Sequence, residues 1–396
     1  MSDTVEETSL GAVLQPPANV RRARWLLTGF FAGQGVIMAT WATRMPAVKE
    51  AAHLTPGALS VALVAASAGM IAMLPLSGRL AERPQGTGRL LVGAALALGT
   101  ALILLGHICS LPALVATAAL YGAGQGLLLV PLNAAGVAIQ TQMVKPIMST
   151  LHASYSIGAL CAAAVATATA TVPHSIVFTV VGTTVIAAAL LSAPLSLSLT
   201  ASKAPSTAAQ GQVRARWVVW LLGGMIAAGL IAEGTALDWS AVHVRSLGAS
   251  ATAAAASYWL YSAGMAAGRL MGDTLTAKLG PQTLLRTGAI VAAVGLGAGL
   301  AATNTPAATP AALIGWALLG LGLAPVIPLL YTAAGSYGPR AVASISTIGN
   351  LGLLGGPVAI GAIATATATS LPVALSVPVI LAAALAAASR AGAPAP

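Results

Sequence analysis

The sequence predicts an all-α membrane protein whose twelve transmembrane helices form two pseudo-symmetric halves of six helices each. Three observations predict this fold. Hydrophobic residues make up 57% of the 396 residues and charged residues only 7%, whereas ordinary soluble domains are about one-quarter charged. The chain divides into apolar runs of roughly 20 residues, the length needed to cross a bilayer core of about 30 Å. Short sequence patterns also recur at matching places in the two halves.

Charges, prolines and glycines bound the apolar runs, and each run is taken as one helix. Many runs contain Ala, Gly, Ser and Thr in place of Leu and Ile, a composition that suits close helix packing in lipid. The predicted helices lie, in order, near residues 25–45, 57–79, 89–109, 112–138, 147–171, 175–199, 217–241, 252–277, 284–303, 308–334, 341–367 and 371–390.

The segments outside the helices predict the domain organisation. The N-terminal segment contains three acidic residues and no basic n-region, which indicates a short cytoplasmic tail and no cleaved signal. The longest polar gap, TASKAPSTAAQGQVRAR, predicts a flexible linker in the middle of the chain. The predicted domains are the N-terminal tail 1–24, the N-terminal half 25–199, the cytoplasmic linker 200–216, the C-terminal half 217–390 and the C-terminal tail 391–396.

The basic residues predict the orientation, because Lys and Arg accumulate on the cytoplasmic side of membrane proteins. With the N-terminus inside, only Arg44, Lys49 and Arg245 of the 18 basic residues fall on the outer side. The others are Arg21, Arg22, Arg24, Arg79, Arg83, Arg89, Lys145, Lys203, Arg214, Arg216, Arg269, Lys278, Arg286, Arg340 and Arg390. The sequence therefore predicts a multi-pass protein of the cytoplasmic membrane with both termini in the cytoplasm. The net charge of +10 forms no cluster, so no nucleic-acid partner is expected.

The two predicted halves repeat each other's polar and proline-containing segments. MSTL (148–151) and ISTI (345–348) each open the fifth helix of their half. GAGQGLLLVPLNAAG (122–136) resembles GLGLAPVIPLLYTAAG (320–335), and both are glycine-rich helices interrupted by proline. Paired six-helix halves with broken helices at corresponding positions are typical of secondary transporters, whose halves rock about a central site.

The segment GRLAERPQGTGR (78–89) resembles the cytoplasmic loop motif of the major facilitator superfamily, a Gly-x-Leu-Ala-acid-Arg string. Glu82 stands where that motif usually has Asp. GRLMGD (268–273) is similar and closes the second helix of the C-terminal half. The resemblance implies a cytoplasmic location for both copies, and the charged residues of the first copy are expected to latch the two halves together. The loop-motif residues are Gly78, Arg79, Glu82, Arg83, Gly268, Arg269 and Asp273.

Further segments resemble one branch of this superfamily, the YbjJ/MosC-like branch, which lies near the fucose permeases. These segments are WATRMPAVK (41–49), LNAAGVAIQ (132–140), KPIMSTLHASYSIGAL (145–160), EGTALDWSAV (233–242), GRLMGD (268–273) and LGLLGGPVAIG (351–361). The resemblance covers nearly the whole chain from Trp25. It implies a secondary transporter, which we expect to be energised by the proton gradient, and it leaves the substrate open.

The stretch EGTALDWSAVHV (233–244) carries two of the chain's eight acidic residues late in an apolar helix. At 1.5 Å per residue from Arg216, Glu233 lies about 25 Å along this helix and Asp238 about 33 Å. The two carboxylates point about 140° apart, so they do not form one paired site. We expect Glu233 to load and release a proton in the outer cavity, the alternative being a structural hydrogen bond. Asp238 is expected at the outer mouth, as a gate residue with a basic partner such as Arg44.

Other polar side chains inside the predicted helices are candidates for the substrate or proton pathway. Gln34 occupies the place in the first helix that Glu233 occupies in the seventh, since Gly follows both residues. Asn133 and His152 fall in the cytoplasmic halves of the fourth and fifth helices, and Asn350 is a similar candidate. For each of them, packing or a hydrogen bond between helices is the alternative.

Enzyme motifs are not found in the sequence. It contains no nucleophile elbow, phosphate-binding P-loop or metal-ligand cluster, so we expect no enzymatic activity, no metal and no cofactor. GAGQG (122–126) lies inside a predicted helix with no strand before it, which excludes a dinucleotide-binding loop. The expected function is proton-coupled transport of a small polar metabolite by a monomer in the lipid bilayer. Two alternatives are an exporter of a larger amphipathic compound and a non-transporting membrane receptor or assembly factor, although the latter would need large soluble loops.

Overall fold

The computed structural model describes residues 16–108, 110–200, 209–366 and 371–392, and nearly all of these residues are helical. Parts of both predicted tails and of the predicted linker therefore lie outside the described residues. The helices are α1 Ala18–Ala51, α2 Pro56–Ala81, α3 Gly86–Leu105, α4 Leu111–Met143, α5 Met148–Ala168, α6 His174–Ser196, α7 Ala209–Ser246, α8 Ala251–Leu279, α9 Pro281–Ala301, α10 Ala308–Leu323, α11 Val326–Gly335, α12 Pro339–Ala366, α13 Leu371–Ala374 and α14 Ser376–Gly392.

The fourteen helices of the described residues make the twelve membrane crossings that the sequence predicts. α10 and α11 are two parts of one crossing, broken at Ala324 and Pro325, and α13 and α14 together form the last crossing. Ten crossings are apolar and long enough to span a bilayer by length and composition alone. The other two, α1 and α8, are long enough with 34 and 29 residues. Polar residues such as Gln34 and Arg269 interrupt their apolar stretches.

Three helix details differ from the predictions. α1 begins at Ala18, inside the predicted N-terminal tail, and α7 begins at Ala209, inside the predicted linker. The residues added to these helices include Ala, Gln and Arg, which are good helix formers. Pro131 lies within one continuous helix, α4, whereas Pro325 separates α10 from α11. The proline-containing crossing is thus broken only in the C-terminal half.

Helix packing follows the same scheme in both halves. In the N-terminal half α1 packs on α5, α2 on α4 and α3 on α6. In the C-terminal half α7 packs on α12, α8 on α10 and α9 on α14. Each pair in one half corresponds in chain order to a pair in the other. The predicted fold of two pseudo-symmetric six-helix halves is therefore confirmed.

Glycine brings α1 and α5 into backbone contact. A Cβ atom on Gly158 of α5 would overlap the carbonyl oxygen of Ala32 on α1. A Cβ atom on Gly35 of α1 would likewise overlap the carbonyl oxygen of Tyr155 on α5. Close approach through small residues is how helices associate in lipid. The two helices, both of which carry candidate site residues, are thereby held in one register.

The two halves contact each other mainly on one side of the membrane. We call this side the linker side, because α6 ends and α7 begins there, and we call the opposite side the far side. α2 packs on α12, α5 on α8 and α4 on α11 across the boundary between the halves. The polar contacts between these helices, described below, lie towards their linker-side ends.

Candidate substrate and proton site

An ion pair lies in the middle of the membrane-spanning region of the C-terminal half. Nη2 of Arg269 on α8 lies 3.7 Å from Oε1 of Glu233 on α7. Arg269 is ten residues before the end of α8 at Leu279, which places it about 15 Å from the linker-side end of its helix. The Arg269 side chain is 7% exposed and the Glu233 side chain 34%. Ionisable groups at this depth are costly unless they are paired, so the pair marks a functional site by default.

The pair also reaches the N-terminal half. Nη1 of Arg269 donates a 2.7 Å hydrogen bond to Oγ of Ser156 on α5. Nε of Arg269 is buried and has no hydrogen-bond partner among the described residues. Arg269 therefore connects Glu233 to the facing half of the protein, and part of its donor capacity is unused. Ser156 was not a candidate from the sequence, since serine is common in membrane helices.

The position of Arg269 corrects its expected place in a loop motif. The resemblance of GRLMGD (268–273) to the superfamily motif implied a cytoplasmic location for this arginine. α8 continues to Leu279, and Gly268 and Arg269 are both buried within the helix bundle. Arg269 consequently does not belong among the basic residues that set the orientation, and it lies in the candidate site beside Glu233.

A polar cluster lies within the N-terminal half. Nε2 of Gln34 on α1 donates a 3.3 Å hydrogen bond to Oε1 of Gln125 on α4. Nε2 of Gln125 in turn donates a 3.0 Å hydrogen bond to the hydroxyl oxygen of Tyr121. The Tyr121 ring stacks on Trp41 with a centroid distance of 4.4 Å. Gln125 is only 5% exposed and is not among the candidates from the sequence. Its amide side chain in an apolar helix is the signal that could have identified it.

His152 lies at the boundary between the halves. Its Nε2 is 3.2 Å from Oδ1 of Asn133 on α4, so the sequence candidates Asn133 and His152 are brought together. The His152 ring stacks at 6.0 Å on Tyr331 of α11, which belongs to the C-terminal half. The Tyr331 hydroxyl lies 3.0 Å from Oγ of Ser346. Asn350 donates its amide to the Ser346 carbonyl oxygen within its own helix, so the structure shows it only as a neighbour of this cluster.

The two candidate gate residues are not in contact. Arg44 is buried and donates from Nη2 to the carbonyl oxygen of Thr169 at 2.9 Å and to its hydroxyl at 2.6 Å. Thr169 follows the last residue of α5, where a cation interacts favourably with the helix C-terminus. Asp238 is exposed on α7. The ion pairs found among the described residues are Arg269–Glu233 and Arg340–Glu82, and neither includes Arg44 or Asp238.

Asp273 on α8 caps the N-terminus of α5 on the linker side. Its Oδ1 accepts from the backbone N–H of Ser149 at 2.9 Å, and its Oδ2 accepts from that of Thr150 at 2.8 Å and from the Thr150 hydroxyl. Oε1 of Gln140 accepts from the N–H groups of Ile147 and Met148. All four N–H groups at the start of α5 are thus satisfied, and a carboxylate at a helix N-terminus also gains from the helix dipole. Because Asp273 lies on α8, this cap joins the two halves.

A second linker-side contact joins α2 to α12. Nε of Arg340 lies 2.7 Å from Oε2 of Glu82, and the side chains are 69% and 30% exposed. Gly78 packs against the start of α12, where a Cβ atom would lie 2.7 Å from Cβ of Ala343. The loop-motif residues Arg79 and Arg83 are exposed. Glu82 and Gly78 of the motif therefore contact the other half.

Two six-helix halves that meet on one side, with buried polar groups along their boundary, define a membrane transporter built from structural repeats. The chain belongs to the Major Facilitator Superfamily, since the model of that family matches residues 26–357. It is a multi-pass membrane protein of a transporter family and not of an enzyme family. The similarity of the chain to MosC, given below, also supports the resemblance to the branch that contains this protein.

Two relatives and two solved structures show the similarity. An uncharacterised MFS-type transporter of Yersinia pestis is 33% identical over 345 residues, covering 85% of this chain and 87% of the relative. The membrane protein MosC of Rhizobium meliloti is 25% identical over 370 residues, covering 92% and 89%. FucP in its outward conformation has a TM-score of 0.73 at 16% identity and covers 95% of this chain and 100% of its own. The proton:xylose symporter XylE has a TM-score of 0.70 at 14% identity, covering 93% and 94%.

Proposed function

We propose that this chain is a proton-coupled secondary transporter of a small polar metabolite that works by alternating access. The observation that carries the proposal is the network from Glu233 through Arg269 to Ser156, because it joins a carboxylate inside the membrane to the facing half of the protein. A carboxylate that gains or loses a proton in this place changes the contacts between the halves. Proton-coupled transport requires such a link between proton binding and the movement of the two halves.

The proposed mechanism starts from the ion pair. When Glu233 is ionised, its Oε1 faces Arg269 and balances the buried positive charge. A proton taken up on this carboxylate removes the balancing charge, so the guanidinium rearranges and its hydrogen bond to Ser156 is weakened. Since Ser156 lies on α5, proton uptake at Glu233 favours movement of one half relative to the other. Release of the proton on the opposite side of the membrane restores the pair.

Two of the similar structures are proton-coupled symporters, and neither assigns a substrate to this chain. FucP is a fucose:proton symporter and XylE a proton:xylose symporter. Their identity to this chain is low, so the likeness concerns the fold. The Asn133–His152–Tyr331 cluster and the Gln34–Gln125 pair supply hydrogen-bond donors and acceptors for a polar metabolite. The remaining candidate, Asn350, is proposed to adjust the position of Tyr331 through Ser346.

The proposal is tested by transport into proteoliposomes. Purified protein is reconstituted, and the uptake of a panel of labelled sugars, polyols and hydroxy acids is measured with and without an imposed pH gradient. We expect at least one compound to accumulate only with the gradient and only in vesicles that contain the protein. If the labelled compound only reaches equal concentrations inside and outside the vesicles, with or without the pH gradient, proton coupling would be contradicted.

The orientation of the chain in the membrane can be tested by labelling introduced cysteines. We propose that the linker side is cytoplasmic, so that both termini lie in the cytoplasm of a protein in the cytoplasmic membrane, and that the described conformation is closed to the cytoplasm. In a background with Cys109 and Cys161 replaced by Ser, Ser110→Cys should react with an impermeant maleimide in intact cells. Ser206→Cys should react only after the cells are opened. Labelling of Ser206→Cys in intact cells would reverse the orientation.

The Glu82–Arg340 ion pair is proposed to act as a latch between the two halves on the linker side. Exposed ion pairs contribute roughly 0.2–1 kcal/mol, so Glu82→Ala should shift the equilibrium between closed and open linker sides by at most about fivefold. The shift should become smaller at high salt, while expression stays unchanged. Arg340→Ala should have the same effect, and the double variant should add little, as a double-mutant cycle of a real pair requires. Full additivity of the two variants would exclude the latch.

A further inference from the structure

The unused donor capacity of Arg269 indicates what the transported compound contains. A guanidinium has five N–H donors and binds carboxylates through two parallel hydrogen bonds. Here Nη1 donates to Ser156, Nη2 has only the 3.7 Å contact with Glu233, and Nε is buried without a partner among the described residues. The Glu233 carboxylate is therefore held by a single long contact, and the guanidinium can bind another carboxylate in a better position.

From this geometry we infer that the substrate carries a carboxylate group, which binds Arg269 in place of Glu233 after Glu233 has taken up a proton. The inference rests on the proposed role of Glu233 as the proton acceptor. A buried guanidinium that loses its only counter-charge is strongly unfavourable, and an incoming carboxylate restores the balance. Substrate binding and proton uptake therefore favour each other. One proton and one monoanion cross together, so transport is electroneutral.

The surroundings of the pair fit a single negative charge. Four ionisable side chains interact electrostatically with Glu233 or Arg269, namely His152 and Tyr155 on α5 and Tyr258 and Tyr261 on α8. Among the described residues, Arg269 is the one Lys or Arg that forms an ion pair with Glu233, so one guanidinium matches one carboxylate. Ser156 supplies a hydroxyl on the opposite half, close enough to Arg269 to contact the same ligand. A carboxylate bound here would touch both halves.

The test uses acetate as the probe, because the substrate's carboxylate is the group in question. Glu233→Gln keeps the shape of the protonated carboxyl and leaves Arg269 without its counter-charge. Purified Glu233→Gln protein should be stabilised against heat by acetate in a saturable way, and much less by acetamide at equal ionic strength. In Glu233→Gln/Arg269→Gln the affinity for acetate should fall by about tenfold or more, as expected for loss of a charged hydrogen bond.

The other variants keep the test decisive. Arg269→Lys preserves the charge and should retain weaker acetate binding if Arg269→Gln folds poorly. As a control, Arg286→Gln removes an exposed arginine of α9. Added to Glu233→Gln, it should leave the affinity for acetate unchanged. Wild-type protein should bind acetate more tightly at acidic than at mildly alkaline pH, and Glu233→Gln should lose this dependence. Equal stabilisation by acetate and acetamide, or no acetate binding to Glu233→Gln, would overturn the inference.

The acetate-binding experiment and the transport experiment can fail independently of each other. If acetate binds through Arg269 but no compound follows the pH gradient in proteoliposomes, then proton coupling fails and the anion site stands. If a neutral sugar accumulates with the pH gradient and acetate does not bind, then the carboxylate inference fails and proton coupling stands. Transport of a carboxylate that responds to the pH gradient but not to an imposed membrane potential supports both.

Discussion

Glu233→Gln should abolish accumulation driven by a pH gradient and leave binding and exchange of the substrate largely intact. Glutamine has the shape of a protonated glutamate but cannot release a proton, so the cycle loses the step that makes it respond to the gradient. Net uptake in proteoliposomes should fall to the level of empty vesicles. Exchange of labelled for unlabelled substrate should persist, because exchange needs no net release of protons. Both are measured with a compound identified by the uptake panel.

The neighbouring carboxylate provides a matched control for this prediction. Asp238 lies on the same helix and is exposed, and among the described residues it forms no ion pair. Asp238→Asn also removes one negative charge, and we expect it to keep partial coupling while it weakens closure of the far side. If Glu233→Gln accumulates the substrate at the wild-type rate, Glu233 is a structural partner of Arg269. His152, which lies between the two halves, would then be the next proton-site candidate.

Much of the fold could be predicted from the sequence because membrane burial leaves a strong local signal. A run of about 20 apolar residues identifies a crossing without any knowledge of its neighbours. Repeated segments such as MSTL and ISTI then indicate the two halves. The helix bounds and breaks that differ from the predictions depend on local helix propensity and on the effect of proline. α7 starts earlier than predicted, at Ala209, and α4 continues through Pro131.

The candidate site was only partly predictable, since its contacts depend on which helices pack together. A charged or amide side chain in an apolar helix is visible in the sequence, and Glu233, Gln34 and His152 were found in this way. The sequence places Arg269 at the cytoplasmic end of its helix, because GRLMGD repeats GRLAE and is expected to close the second helix of its half, whereas α8 continues for ten residues beyond Arg269. Ser156 became a candidate only when the crossing of α5 and α8 was known.

The capping of α5 is likewise a non-local feature. MSTL predicts the start of a helix, but the residue before it, Ile147, offers no side chain to cap it. The acceptors come from Gln140 on the preceding helix and from Asp273, 123 residues further along the chain from Thr150. Gln140 also donates from Nε2 to Thr332 on α11 at 3.3 Å. No local pattern in the sequence connects these residues, although together they join the two halves on the linker side.

Asp273→Asn is expected to open the linker side, because it weakens a charged helix cap that joins the two halves. The asparagine keeps one acceptor oxygen but loses the charge and the second acceptor for the N–H groups of Ser149 and Thr150. Loss of a charged hydrogen bond costs about 1.5–3 kcal/mol. Each 1.4 kcal/mol changes a population ratio about tenfold. The open population should therefore rise by roughly tenfold or more, a larger effect than that of Glu82→Ala.

This shift can be measured as a distance across the linker side. Spin labels on Val144→Cys, at a position that is 91% exposed between α4 and α5, and on Lys278→Cys at the end of α8 report the separation of the halves. In Asp273→Asn the longer distances should gain population, whereas Asp238→Asn, which removes a carboxylate on the far side, should not produce this gain. Because a closed linker side is part of every transport cycle, Asp273→Asn should also slow uptake while expression is maintained. An unchanged distance distribution in Asp273→Asn would show that the cap of α5 is structural and does not hold the two halves together.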